Sequence, residues 1–248
     1  MKKTIVTSLL CFSVALTACS AQPQTEIMED NVPETSVEET EASETQVQVN
    51  RNQLFEDLQS GKTICFIGDS ITEGAATDGI PWYQPLETFI TGEVINVSVS
   101  GWTSVSLVQD VDEYPQADVY VIAIGINDVL YIDQAFGAAT VEEFIDNLQT
   151  LSQMIDSVSP DSTMYFITPW PFLNFPDEAY ETRDEFVEAM IEWCAEDDRR
   201  ICIDPNDTIM SVLEDVDTSV YMWNDYHPDA PEGIGLYSYA VIQQDSIR

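Results

Sequence analysis

From residue 51 onward the chain alternates short, continuously apolar runs with segments whose apolar residues recur every three or four positions. Residues 63–67 (Thr-Ile-Cys-Phe-Ile) and 117–124 (Ala-Asp-Val-Tyr-Val-Ile-Ala-Ile) are short and rich in β-branched residues, and a glycine follows each. That is the pattern of strands buried on both faces. Residues 94–99, 163–168 and 200–203 read as three more strands. Residues 52–60, 104–111 and 184–193 read as helices, as does the stretch from Pro231 through Leu236, Tyr239 and Ile242; residues 81–90 read as a helix or at least as a covered aromatic segment with Trp82 and Tyr83. The clearest helix opens at Thr140-Val141-Glu142-Glu143, a capping-box pattern, and puts Phe144, Leu148, Leu151 and Ile155 on one face as core. No internal repeat is present. The alternation predicts an α/β domain: a three-layer α/β/α sandwich around a central parallel sheet of about five strands. Sites in such sheets lie beyond the carboxyl ends of the strands, so the residues that follow the apolar runs are the first to inspect.

The first run ends in Gly68-Asp69-Ser70-Ile71-Thr72-Glu73-Gly74. A strand that ends in a tight turn and enters a helix lifts the serine hydroxyl to the sheet edge, above free N–H groups and the positive end of the helix dipole. A serine so placed attacks a carbonyl if a base reaches it and donors hold the oxyanion. The alternative is that Asp69 or Ser70 serves only as a helix N-cap. The central run ends in Gly125-Ile126-Asn127-Asp128, and Gly101-Trp102-Thr103 breaks the second strand. The chain's single histidine, His227, stands in Asn224-Asp225-Tyr226-His227-Pro228, a loop before the last helix.

Taken in order, Gly68-Asp69-Ser70-Ile71-Thr72, Gly101, Gly125-Ile126-Asn127-Asp128 and His227-Pro228 resemble the four blocks of the SGNH family, the GDSL esterases and lipases. The resemblance spans about residues 60–246. It implies a flavodoxin-like fold and an ester hydrolase that needs no cofactor or metal. It implies Ser70 as nucleophile, with His227 as the base that takes its proton and returns it to the leaving group. The oxyanion hole would comprise the backbone N–H groups of Ser70 and Gly101 and the side-chain amide of Asn127, with glycine at 101 read as allowing close approach of the backbone. Gly125 and Asp128 read as turn formers, Asp128 as a brace for the Asn127 loop.

One position departs from the family. It usually keeps an aspartate three residues before the histidine; here Asn224 stands there and Asp225 follows it. Asp225, Asn224 or a backbone carbonyl is left to hold the imidazole. Asp225 is the expected choice, because a carboxylate on Nδ1 fixes the tautomer and stabilises the cation.

Trp82, Trp102, Trp170 and Trp223 fall in loops near the expected site, where indole faces stack on sugars or hold acyl chains; the alternative is that at least two of them merely close the core. A short acyl group, acetyl above all, on a carbohydrate is the leading expectation for the substrate. A lysophospholipase or short-chain lipid esterase, an O-acetyltransferase acting on cell-wall glycan, and a non-catalytic glycan-binding protein are the alternatives.

Residues 1–18 read as a signal peptide: Lys2 and Lys3, an apolar run from Ile5 to Leu16, then Leu16-Thr17-Ala18-Cys19, which resembles a bacterial lipobox and implies a lipid on Cys19. The run is short for a transmembrane helix. Residues 19–51, rich in Glu, Thr, Ser and Gln and free of aromatics, read as an acidic disordered spacer, leaving 52–248 as the catalytic domain. A lipid-anchored or secreted enzyme on the extracellular face of a bacterial membrane is the expectation. The formal net charge of −37 and pI near 4.1 disfavour nucleic acid and strongly anionic substrates. Of five cysteines, Cys65 and Cys202 lie in apolar runs and read as buried thiols. No metal-ligand spacing and no EF-hand-like loop is present.

Overall fold

The strands β1 (Ile64–Gly68) and β3 (Val119–Ala123) are buried at every position, as their unbroken apolar sequence requires. The computed structural model describes residues 53–132 and 136–243. The expected leader, Cys19 and the spacer lie outside these residues. In chain order the elements are α1 (Gln53–Leu58), β1, α2 (Ser70–Glu73), β2 (Val94–Asn96), α3 (Ser104–Gln109), β3, α4 (Ile126–Leu130), α5 (Val141–Val158), β4 (Thr163–Ile167), α6 (Asp177–Cys194), β5 (Arg200–Ile203), α7 (Asn206–Leu213) and α8 (Glu232–Gln243).

The sheet has the order β2-β1-β3-β4-β5 and every pair is parallel. The register runs from Ile64 opposite Val119 to Gly68 opposite Ala123, so β1 and β3 end level with each other. The chain winds outward from β1 to β2, then returns to the other side of β1 for β3. The direction of winding therefore reverses between β1 and β3, the position at which doubly wound sheets open a crevice above their carboxyl ends. The segments that follow these two strands carry Ser70 and Asn127.

Helices flank the sheet in two groups: α5 packs against both α3 and α6, and α8 packs with α7 and the 3-10 turn Gln84–Leu86. The stripe Phe144, Leu148, Leu151 and Ile155 is the buried face of α5, and Thr140 caps it by accepting from the Glu143 N–H. Cys65, Cys194 and Cys202 are free buried thiols.

Two open alternatives are decided, and one expectation changes. Residues 81–90 are not an α-helix but the other reading, a covered aromatic segment, with Trp82 and Tyr83 buried and a run of i→i+3 bonds, Gln84 to Pro81, Leu86 to Tyr83 and Phe89 to Leu86. Pro85 would fall inside a helix there, with no N–H to offer and its ring against the carbonyl of residue 81. The indoles of Trp82 and Trp170 are fully buried and meet edge to face at 5.6 Å, so both close the core and neither offers a stacking face. The helix expected from residue 184 begins at Asp177, directly after Pro176, whose fixed φ suits a helix entrance.

Candidate active site

Ser70 is the first residue of α2 and follows β1 through Asp69 alone. The turn is tight: a Cβ on Gly68 would collide with the Thr72 side chain and the Ala123 carbonyl. Asp69 caps α2, its Oδ1 accepting from the Ile71 N–H at 3.0 Å, and Gly74 closes it at φ +84°. Asp69 is fully buried, and burial pushes its carboxyl up to about 7 against the opposing pull of the Ile71 bond.

His227 reaches Ser70 across 157 residues: its Nε2 lies 2.8 Å from Oγ. Its loop folds back on itself, with the Trp223 N–H donating to the His227 carbonyl and Met222 bridging to Pro228. The ring is largely buried, which holds its pKa below the ordinary histidine value. The short bond, the neutral ring and the strand-end position provide the elements of nucleophilic acyl transfer.

The residue on the other ring nitrogen is Asn224, and not Asp225 as expected. The Asn224 Oδ1 accepts from the backbone N–H groups of Tyr226 at 3.0 Å and His227 at 2.7 Å, and its Nδ2 lies 3.0 Å from His227 Nδ1. This Asx-type turn aims position 224 at the ring. Asp225, the next residue, points away and accepts from the Asn174 side chain at 2.8 Å, while its carbonyl accepts from the Leu173 N–H.

Asn127 sits in α4, which follows Gly125 at φ +117°. Its Nδ2 donates to the Trp102 carbonyl at 2.8 Å, which leaves the second amide hydrogen to donate elsewhere. Gly101 has φ +81°, and a Cβ added there would meet nothing within 4 Å. Its glycine is thus demanded by the backbone conformation rather than by the close approach expected, and the space above it is open. Two contacts tie the three blocks together: the Ser100 N–H donates to Glu73 of α2 at 2.7 Å, and Asn127 holds Trp102. Asp128 is a brace, as expected, accepting from Ser104 and Ala138. Sequence reading missed Glu73 and Asn174. Glu73 stood within the Gly68–Gly74 motif, whereas nothing local marked Asn174.

Trp223 is 61% exposed, and its ring centre lies 5.8 Å from that of His227. Tyr226 is nearer, at 4.4 Å, and Tyr131 packs on Phe136 at 5.0 Å. Of the four indoles expected near the site, Trp223 offers an exposed face and Trp102 is partly buried. A depression of about 510 Å³ lined by Lys62, Thr63, Asp118 and Thr163 lies at the opposite, amino-terminal ends of the strands and shares no residue with this cluster. Among the described residues no group of three or more His, Cys, Asp or Glu is arranged to hold a metal ion.

The sequence profile of the GDSL-like lipase/acylhydrolase family matches residues 66–231, which contain every residue of this cluster. A Mycoplasma pneumoniae protein of uncharacterized function is 31% identical over 139 residues, 50% of this chain and only 16% of the other. Among solved structures, a GDSL-like lipase candidate from Parabacteroides merdae superposes with a TM-score of 0.62 at 19% identity, covering 75% of this chain and 98% of that one. The acetylxylan esterase Axe2 of Geobacillus stearothermophilus superposes with a TM-score of 0.59 at 21% identity, covering 74% of this chain and 93% of that one. At these identities the likeness to both structures is one of fold. Variants of Axe2 described as catalytic mutants replace a serine, an aspartate and a histidine, the aspartate three residues before the histidine.

Proposed function

The chain belongs to the GDSL-like lipase/acylhydrolase family, and within it we propose a serine esterase that removes short acyl groups, acetyl above all, from carbohydrates. The observation that carries this reading is the 2.8 Å contact of Ser70 Oγ with His227 Nε2 at the crevice between β1 and β3. Ser70 Oγ attacks the ester carbonyl carbon as His227 Nε2 takes its proton. The tetrahedral oxyanion accepts from the backbone N–H groups of Ser70 and Gly101 and from the free hydrogen of the Asn127 amide. Collapse breaks the bond to the alcohol oxygen, which leaves with the proton from Nε2. Water then attacks the acyl-serine, giving its proton to His227, and the second collapse releases the acid and restores Ser70.

Two features support a short acyl group on a sugar. The fold is shared with an acetylxylan esterase. Trp223 presents an open indole face beside the base, and an exposed aromatic face suits the apolar face of a sugar ring. The leader and the lipid on Cys19 extend the proposal: a tethered enzyme acting on glycan outside the cell. Incorporation of labelled palmitate at Cys19, lost in Cys19→Ala, is the check.

The esterase reading is tested by hydrolysis of p-nitrophenyl acetate, butyrate and octanoate and by acetate release from acetylated xylan, with Ser70→Ala as control. Acetate preference and Ser70-dependent release from xylan are expected. Preference for octanoate moves the reading to lipid esters, and Ser70-independent turnover overturns the nucleophile.

A further inference from the structure

The hydrogen-bond network around Asn224 leaves only one orientation for its amide. The backbone N–H groups of Tyr226 and His227 can only donate, so the atom they meet at 3.0 and 2.7 Å is the amide oxygen. The amide nitrogen, carrying two hydrogens and no acceptor site, is therefore what faces His227 Nδ1 at 3.0 Å. A donor opposite Nδ1 requires a lone pair on Nδ1. In the neutral ring the proton must then sit on Nε2, the nitrogen 2.8 Å from Ser70 Oγ.

We infer that Asn224 is a positioning residue that holds His227 in the Nε2–H tautomer, in which the ring donates to Ser70 rather than accepting from it. The inference rests on the esterase reading above for its meaning in catalysis, though not for the tautomer itself. In this resting state Nε2 has no lone pair for the serine proton. To act as base, the ring must carry its proton on Nδ1, facing the amide hydrogens of Asn224, or the amide must turn over and give up both backbone bonds. The imidazolium formed during attack meets the same opposed N–H groups. Asn224 is thus a brake on turnover built into the loop that aims the base.

Among the described residues no side chain bonded to the ring relieves it. Around the ring stand Ser70, Asn224, Trp223 and Tyr226. Of the neighbouring carboxylates, Asp225 is engaged by Asn174 and Asp69 by the Ile71 N–H. Exchanging a carboxylate for an amide at the corresponding place of a serine-protease triad keeps the geometry and lowers kcat about 10⁴-fold through the wrong tautomer.

The test uses Asn224→Asp, which keeps an oxygen for the Tyr226 and His227 N–H groups and changes only what faces Nδ1. A purely structural role for Asn224 predicts no effect. Because the chain has a single histidine, ring-¹⁵N-labelled untagged protein reports this tautomer without ambiguity. We expect the full chain at neutral pH to show Nε2 protonated and Nδ1 bare, and Asn224→Asp to show the reverse. We expect kcat/KM on p-nitrophenyl acetate to rise about 10²–10⁴-fold in Asn224→Asp. The acid limb of the pH profile should move upward, since a carboxylate now favours the charged ring. A protonated Nδ1 in the native chain, or an unchanged rate in Asn224→Asp with the tautomer reversed, overturns the inference. Absence of Ser70-dependent turnover in both proteins counts against the esterase reading and leaves the tautomer to be read from the nitrogen shifts alone.

Discussion

Asp128 and Ser104 are joined twice: the Ser104 N–H donates to Oδ2 at 2.9 Å and the Ser104 hydroxyl to Oδ1 at 2.7 Å. The Ala138 N–H donates to the same carboxylate at 3.0 Å, and both Asp128 and Ser104 are buried. The carboxylate adjoins Asn127 and grips the N-terminus of α3, next to Trp102 and Gly101. It therefore fixes the spacing of two of the proposed oxyanion donors. Burial pushes the Asp128 carboxyl up, and these donors oppose the shift.

Asp128→Ala leaves three buried donors without an acceptor. Each costs about 1–3 kcal/mol, so a loss of roughly 3 kcal/mol or more in urea unfolding is expected, together with a fall in kcat. Asp128→Asn keeps one acceptor and should lose less. A wild-type unfolding midpoint in Asp128→Ala would refute the brace.

Asn127→Ala removes the amide while Ser70 and His227 stay in contact. The expected result is a fall in kcat of about 10²–10³-fold with little change in KM, because the amide acts on charge that develops only in the transition state. Stability should fall by only about 1 kcal/mol for the lost bond to the Trp102 carbonyl. A higher KM at unchanged kcat on p-nitrophenyl acetate would assign Asn127 to substrate binding instead.

Ser70, Gly101 and Asn127 were legible in the sequence because each follows a predicted strand, and a parallel sheet gathers such positions at one edge; His227 was legible as the single histidine, matching the last block of the family. The choice between Asn224 and Asp225 was not. The two are neighbours, and the backbone N–H groups of Tyr226 and His227 decide which points at the ring. Chemical preference favoured the carboxylate, whereas turn geometry selected the amide. Which of the four indoles close the core was not legible either, for a related reason: proximity to the site along the chain says nothing about the side of the loop from which an indole projects, and the structure selects Trp82 and Trp170. The helices α4 and α7 went unseen because five and eight residues carry too little periodicity to register.

Asp69 makes stability depend on pH in a direction opposite to a paired carboxylate. Burial raises its folded value to about 7, and its Oδ2 meets no donor among the described residues. Between the unfolded value near 4 and the folded value the native state binds the proton more tightly, so this group's contribution falls as pH rises through that window and is flat above it. Asp69→Asn caps α2 equally well and does not titrate. Its unfolding midpoint in urea should therefore gain on the wild type steadily from pH 4 to 7, then run parallel. A difference that is constant across the range would show that Asp69 is ionised throughout.

Trp223 separates recognition of the alcohol from the chemistry. It is 61% exposed and its ring centre stands 5.8 Å from that of His227, so an ester carbonyl held at Ser70 would place its alcohol part near this indole. Removing an exposed ring with few packing partners should change stability by no more than about 0.5 kcal/mol. If the indole carries a sugar ring, Trp223→Ala should raise KM for acetylated xylo-oligosaccharides about tenfold, as loss of an aromatic contact of about 1–1.5 kcal/mol implies. The same variant should leave kcat/KM for p-nitrophenyl acetate within about twofold, since the serine, the base and the oxyanion donors are untouched. Steady-state kinetics on both substrates distinguish the outcomes. An equal loss on both would mean that Trp223 acts through the His227 ring rather than through the substrate, and no loss on either would place the sugar elsewhere along the crevice.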